Sequence, residues 1–235
     1  MSSLATLIDE RARVWRVTAG VFPSNCYIVG LGSGRGNGQR CAVIDPGLDG
    51  AAIEQAIESL GMKPAAVLCT HGHFDHAGSA SVLQRKHGCP VYLPAADVPT
   101  LRSSNFLLMA FKIDARIEQP EVTAVSPEHA TVDVEGQTFS FHPVPGHTPG
   151  SCVVQHGDSL FTGDTLYARG VGLSKLPGEK PAQLRQSIQS LWERFAPHMQ
   201  VHPGHGESAA LGWIRTHNAA LQAFLQADEQ PTHST

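Results

Sequence analysis

Three histidines and one aspartate fall within six consecutive positions of THGHFDHAG, residues 70–78. A solitary histidine is commonly a hydrogen-bonded core or surface residue, so one of these alone would carry little weight. Four donors in the order H-x-H-x-D-H, directly after the apolar run AAVLC, carry more, because imidazole and carboxylate are the ligands that zinc and related divalent ions select. Later loops add His147 in PGHTPGS, Asp164 in FTGDT and His205 in PGHG. Together His71, His73, Asp75, His76, His147, Asp164 and His205 are too many for one tetrahedral ion, since a catalytic zinc takes three protein ligands and a water. Seven donors suit two ions with a shared carboxylate and a bridging hydroxide. His71 and His73, two apart on a bent loop, would project differently and leave Asp75 and His76 free to turn toward the second ion.

Such a pair of ions would bring the pKa of a bridging water toward neutrality, polarise a carbonyl and stabilise a tetrahedral oxyanion. Asp75 would hold the hydroxide and accept its proton, which makes it the candidate catalytic residue.

These donors need a scaffold that gathers distant loops, and the rest of the chain reads as one. RVWRVTAG, NCYIVGLG and QRCAVIDPG have the composition of β-strands, with GSGRGNG as a flexible hairpin loop between the second and third. GAAIEQAIESL, residues 50–60, spaces apolar side chains as a helix does and stops at Gly61. The strand PAAVLC leads into the histidine loop, a helix over residues 77–86 follows, and CPVYL is another strand. Strands resume at ATVDVEG and QTFSFHPV, with residues 135–137 as the turn, and continue through SCVVQHG and SLFTGD. PAQLRQSIQSLWERF opens with Pro181 and places Leu184, Ile188, Leu191 and Phe195 along one helical face. MQVHPGHG is a strand and turn, residues 208–226 a final helix, and DEQPTHST a frayed tail. Every donor loop follows a strand, where open α/β sheets place their chemistry.

Residues 99–121 are apolar without a clean period. They read either as a partly helical insertion over the site or as a core helix. In the first reading Phe106, Leu108 and Phe111 line an acyl-binding surface. The organisation expected is a single domain over residues 1–228, with the insertion near 99–121 and a flexible tail at 229–235.

Composition narrows the remaining classes. A chain of 235 residues with 41% hydrophobic and 16% charged residues can bury a substantial core. No stretch approaches the ~18–20 apolar residues of a membrane helix. A net charge of −4 with scattered Lys and Arg argues against nucleic acid as a partner. Five cysteines without CxxC spacing, among them Cys26, Cys41, Cys69 and Cys152 in strand-like runs, read as buried free thiols. The start, MSSLATLIDERAR, reaches Asp9, Glu10 and Arg11 before a signal-length apolar segment, so a cytoplasmic location is expected. Oligomeric state has no signature in the sequence.

THGHFDHAG, PGHTPGS, FTGDT and PGHG, in this order, resemble the metallo-β-lactamase superfamily, and among its members the glyoxalase II-like hydrolases. The resemblance covers essentially the whole chain. It implies an α/β fold, the four-layer αββα sandwich, with the metals at one edge. Position by position it assigns His71, His73 and His147 to the first ion, Asp75, His76 and His205 to the second, and Asp164 between them. It implies two divalent ions, zinc foremost with iron or manganese as alternatives, and a small-molecule thioester or related acyl substrate, hydroxyacylglutathione being the reference. Asp45 in VIDPG reads as support for the site or as a turn carboxylate. His142, His156 and His202 read as buried or supporting residues, and His87, His129, His198 and His217 as surface residues.

The loop after Asp164 departs from its relatives. Where short members carry G-R-[ST]-D, residues 172–175 read GLSK, so Leu173 and Lys175 replace an ion pair, and only one helix is expected after His205. Arg169 and Lys175 remain candidates for an anionic part of the substrate. The nearest rival is a persulfide dioxygenase of the same fold, with one iron held by the two histidine loops together with Asp164. A β-lactamase is disfavoured by the carboxylate at Asp164, and a nuclease by the acidic balance.

Overall fold

Residues alternate between two faces along each central strand, and both faces are apolar. In the strand β3 (Ser24–Gly30), Cys26 and Ile28 pack to one side and Tyr27 and Val29 to the other. In β4 (Gln39–Ile44), Cys41 and Val43 oppose Ala42 and Ile44 in the same way. A sheet buried on both faces must be covered on both.

The computed structural model describes residues 5–32, 38–174, 176 and 178–227. Its first sheet runs β1 (Thr6–Asp9), β2 (Val14–Ala19), β3, β4, β5 (Met62–Leu68), β6 (Val91–Pro94), β7 (Val122–Val125), antiparallel up to β4 and parallel from there on. The second runs β13 (Ala209–Ala210), β12 (Gln200–Pro203), β11 (Ser159–Gly163), β10 (Cys152–His156), β9 (Gln137–Pro143), β8 (Thr131–Val134), with β11 and β12 its parallel pair.

Three apolar clusters define four layers. Between the sheets, Tyr27, Ile44 and Leu68 meet Phe139, Phe141, Val154 and Phe161. Outside the first sheet, α1 (Gly50–Ser59), α3 (Ala80–His87) and α4 (Val98–Ala110) contribute Ile53, Ile57, Leu83, Leu101 and Leu108. Outside the second, α5 (Pro181–Arg194), α6 (Leu211–His217) and α7 (Ala219–Gln226) contribute Leu184, Ile188, Leu191, Ile214 and Leu221. This is the αββα sandwich that the resemblance implied. All five cysteines are buried and free. No helix of the described residues is long and apolar enough to cross a membrane.

Several expectations need correction. Residues 99–121 combine both expected roles, with core-facing positions in the helix and Phe111, just beyond it, reaching the cavity over the donors. They form most of α4 and the connection to β7, which pairs parallel with β6, and Leu101, Ser104 and Leu108 of α4 face the core. The helical period is blurred because Phe106 and Met109 are also apolar yet 64% and 67% exposed. Residues 208–226 do not make one helix: Asn218 ends α6, and its side chain accepts the Leu221 N–H to start α7. β1 and β7 escape a sequence reading because they are short edge strands, with β1 having no fully buried residue. His87 is not a free surface residue, since its Nε2 lies 2.9 Å from the Glu54 carboxylate. The hairpin loop tip at 33–37, Lys175 and the tail at 229–235 lie outside the described residues.

Candidate metal centre

The donor loops converge because four strands end at one edge of the sandwich. β5 delivers His71 and His73, and the single turn α2 (Phe74–Ala77) turns Asp75 and His76 inward. The second sheet brings His147 after β9, Asp164 after β11 and His205 after β12. Two groups result, His71, His73 and His147 in one and Asp75, His76, Asp164 and His205 in the other, each with its donor atoms within 4.8 Å of one another. All but His205 are buried.

In the first group the nitrogens face each other. His71 Nε2 lies 3.2 Å from His73 Nδ1, and His147 Nε2 lies 3.0 Å from the same atom. Nitrogens around a tetrahedral zinc at its usual bond length stand about 3.3 Å apart, so the spacing fits. In the second group His76 Nε2 lies 3.2 Å from Asp164 Oδ1 and 3.5 Å from Asp75 Oδ2. His205 Nε2 lies 3.3 Å from Asp75 Oδ2 and 3.6 Å from Asp164 Oδ1. Asp164 faces both groups, its Oδ2 standing 3.5 Å from His147 Nε2. Buried His76 Nε2 and Asp164 Oδ1 find no hydrogen bond of sound geometry. Such atoms cost about 1–3 kcal/mol each when left unpaired, and a cation between them would answer both. The residues present therefore fit two divalent ions.

The electrostatics do not simply follow this grouping: burial disfavours charge on His147 of the first group, but Glu179 and Asp164 outweigh it and raise its pKa. Burial, reinforced by neighbouring histidines, pulls His71 well below the usual imidazole range and His73 down to about 4, leaving their lone pairs available. Burial also disfavours charge on His76 and His205, but carboxylates outweigh it: Asp164, Asp75 and Asp45 raise His76, and Asp164 and Asp75 bring His205 to about 10. Asp164 would be raised by burial, yet His76, His205 and His147 hold it well below the usual carboxylate range. The second group thus carries the negative field that attracts a cation.

Carboxylates behind the donors fix their orientation. Asp45, at φ +51° after β4, accepts from Thr70 N and Thr70 Oγ1 at 2.7 Å, and its Oδ2 lies 3.0 Å from His76 Nδ1. That pairing aims His76 Nε2 into the cluster and settles Asp45 as a supporting residue. Asp97, missed by the sequence reading, is fully buried just before α4. It accepts from Gly72 N at 2.7 Å, Gly150 N at 2.8 Å and Thr148 Oγ1 at 2.8 Å, which ties the His71–His73 loop to the His147 loop. Ser104 of α4 donates to Gly72 O at 3.1 Å, so this helix supports the centre from behind. Glu179, also missed, stands 3.4 Å from His147 Nδ1. Glycine is required at 204, where a Cβ would collide with Asp164 Oδ1 and the His76 ring.

The profile of the Metallo-beta-lactamase superfamily matches residues 19–212. The chain belongs to the metallo-β-lactamase superfamily. The chain is similar to "Probable metallo-hydrolase YqgX" of Bacillus subtilis (strain 168), 30% identical over 216 residues, 89% of this chain and 97% of that protein. "Hydroxyacylglutathione hydrolase" of Anaeromyxobacter dehalogenans (strain 2CP-C) is 33% identical over 172 residues, 73% of this chain but only 59% of that protein. The solved structure of TTHA1623 in a di-iron-bound form superposes with a TM-score of 0.75 at 31% identity, covering 87% of this chain and 98% of that one.

Above the donors lies a cavity of about 450 Å³ whose walls include Phe22, Phe74, Phe111, Tyr167, Val171 and Leu173. Of the substrate residues expected from sequence, Phe111 lines it, whereas Phe106 points to solvent and Leu108 is core. Arg169 borders a neighbouring cleft. Phe22 and Tyr167 are additional wall residues that no local pattern marks. Burial and the nearby Asp164 raise the Tyr167 phenol, which stays protonated as a hydrogen-bond donor.

Proposed function

We propose that the protein is a dinuclear metal-dependent hydrolase of thioesters or related acyl compounds, glyoxalase II-like in its chemistry. The observation that carries this reading is the pair of facing donor groups, sharing Asp164, at the floor of an apolar cavity. His71, His73 and His147 would hold one ion and Asp75, His76 and His205 the other, with zinc foremost and iron or manganese as alternatives. Two such ions supply Lewis acidity, polarising an acyl carbonyl and acidifying a water.

The chain's own residues do the rest. Phe22, Phe74, Phe111, Val171 and Leu173 exclude water and receive an apolar acyl group. Asp75 lines the cavity floor, where it holds the attacking water and accepts its proton. Addition of the water oxygen to the acyl carbon and cleavage of the C–S bond return that proton to the departing thiolate, giving acid and thiol. Tyr167 offers a phenolic donor at the same wall. The hydroxyacylglutathione hydrolase relative supports a thioester as the substrate class. The free buried thiols support a reducing, cytoplasmic setting.

Metal analysis of the purified protein, alongside a panel of thioesters, esters and lactones, tests the reading. Two ions per chain and thioester turnover are expected, and His76→Ala or His205→Ala should remove mainly one ion. Saturation at a single iron, with oxygen consumed in the presence of a persulfide and little thioester cleavage, would replace this function with the dioxygenase reading.

A further inference from the structure

A second cleft, of about 510 Å³, adjoins the cavity at His205, which lines both. The two differ in chemistry. Among the described residues, no lysine or arginine lines the acyl cavity. The second cleft is walled by Arg169, Trp213 and Glu207. The Arg169 guanidinium lies 5.4 Å from the centre of the Trp213 ring, and His217 stacks parallel to that indole at 4.7 Å. Glu207, the one carboxylate on the wall among the described residues, is engaged by Arg16 at 2.9 Å. Arg169 is exposed on the cleft wall over the Trp213 ring, and among the described residues no carboxylate pairs with it. A guanidinium held over an aromatic ring still has N–H donors for a planar or tetrahedral anion.

A thioester has two halves that meet at the reacting carbonyl, and the molecule has two clefts that meet at His205. We propose that the cleft of Arg169 and Trp213 binds the leaving-group half of the substrate. That half is an anionic thiol carrier whose phosphate or carboxylate pairs with Arg169 and whose stem lies along Trp213. The proposal rests on the hydrolase reading for the orientation of the substrate, while the cleft itself binds the carrier whether or not the ester is cleaved. Phosphate and carboxylate carriers share the chemistry that Arg169 recognises.

The test uses three thioesters with one apolar acyl group, carried on coenzyme A, on glutathione or on uncharged N-acetylcysteamine. Arg169→Gln should lower kcat/KM for an anionic carrier, relative to N-acetylcysteamine, by roughly tenfold or more, mainly through KM. The coenzyme A and glutathione arms show which anion is preferred. Arg215→Gln, an exposed arginine on α6 that stands over Trp192 outside the cleft, should leave that ratio unchanged. In parallel, free coenzyme A and free glutathione are titrated against the intact metal-loaded protein by tryptophan fluorescence. A saturable change that disappears in Trp213→Phe and weakens in Arg169→Gln is expected. Equal ratios in wild type and Arg169→Gln, or carrier binding indifferent to both substitutions, would overturn the proposal. If no thioester is cleaved, the hydrolase reading fails, and the fluorescence titration alone decides the cleft.

Discussion

At the scale of single residues, Asp164 stands between the two donor groups, with one oxygen toward each. Asp164→Asn keeps the shape and removes a negative charge from between two cations, so their repulsion rises and the second site weakens. We expect kcat to fall by roughly a hundredfold or more, only partly restored by excess zinc. Chemical denaturation should show a much smaller change in stability. His202 makes a different prediction. It is buried against Phe161 and Tyr27, with Nδ1 2.9 Å from Ser208 Oγ, and burial lowers its pKa to about 4. Above the unfolded value of 6.5 both states hold it neutral and it has no effect on the pH dependence. Below 6.5 the unfolded chain takes up a proton that the folded chain refuses, so stability falls until pH passes through about 4. Unfolding of the chelated protein at pH 7.5 and pH 4.5 should show a stability loss that is about 2–3 kcal/mol smaller in His202→Phe than in wild type.

The elements differ in how far the sequence reveals them. The histidine loop is legible because its donors are four neighbours in one short stretch, and α5 is legible because its buried positions keep a strict spacing. Asp97 and Glu179 are not, since each acts on a loop far away in sequence and neither lies in a recognisable pattern. Segment 99–121 misleads in a specific way. Hydrophobicity alone cannot separate Leu108, at 1% exposure, from Phe106. Three substitutions resolve the role of this segment. Leu108→Ala should cost about 2–4 kcal/mol of stability and leave the KM of folded enzyme little changed. Phe106→Ala should stay within about 0.5 kcal/mol and leave kinetics alone. Phe111→Ala, at the cavity wall, should raise KM for apolar acyl groups. A kinetic effect at Phe106 as large as that at Phe111 would return the outer face of α4 to the active-site mouth.

For the whole molecule, the centre spans the two sheets. His71, His73, Asp75 and His76 come from the first, and His147, Asp164 and His205 from the second. The seam is also crossed by hydrogen bonds: Asn25 Nδ2 donates to Pro203 O at 3.0 Å and Tyr27 Oη to the same oxygen at 2.6 Å. A ligand that binds only the assembled site stabilises the fold by about 2.7 kcal/mol at a free concentration of 100 times its dissociation constant. Chelation should therefore lower Tm by several degrees and make it depend on free metal concentration. A Tm indifferent to chelator would mean that the centre contributes nothing to joining the sheets.

The division of donors between sheets also has a consequence in time. Donors of the first sheet precede all those of the second along the chain, and each provisional three-histidine or carboxylate set is incomplete until a later strand docks. During vectorial synthesis an ion arriving early meets His71, His73, Asp75 and His76 without His147, Asp164 or His205, so neither donor group is complete. Metal capture then becomes a checkpoint on folding: the ion is held firmly only by a chain whose two sheets have already found each other.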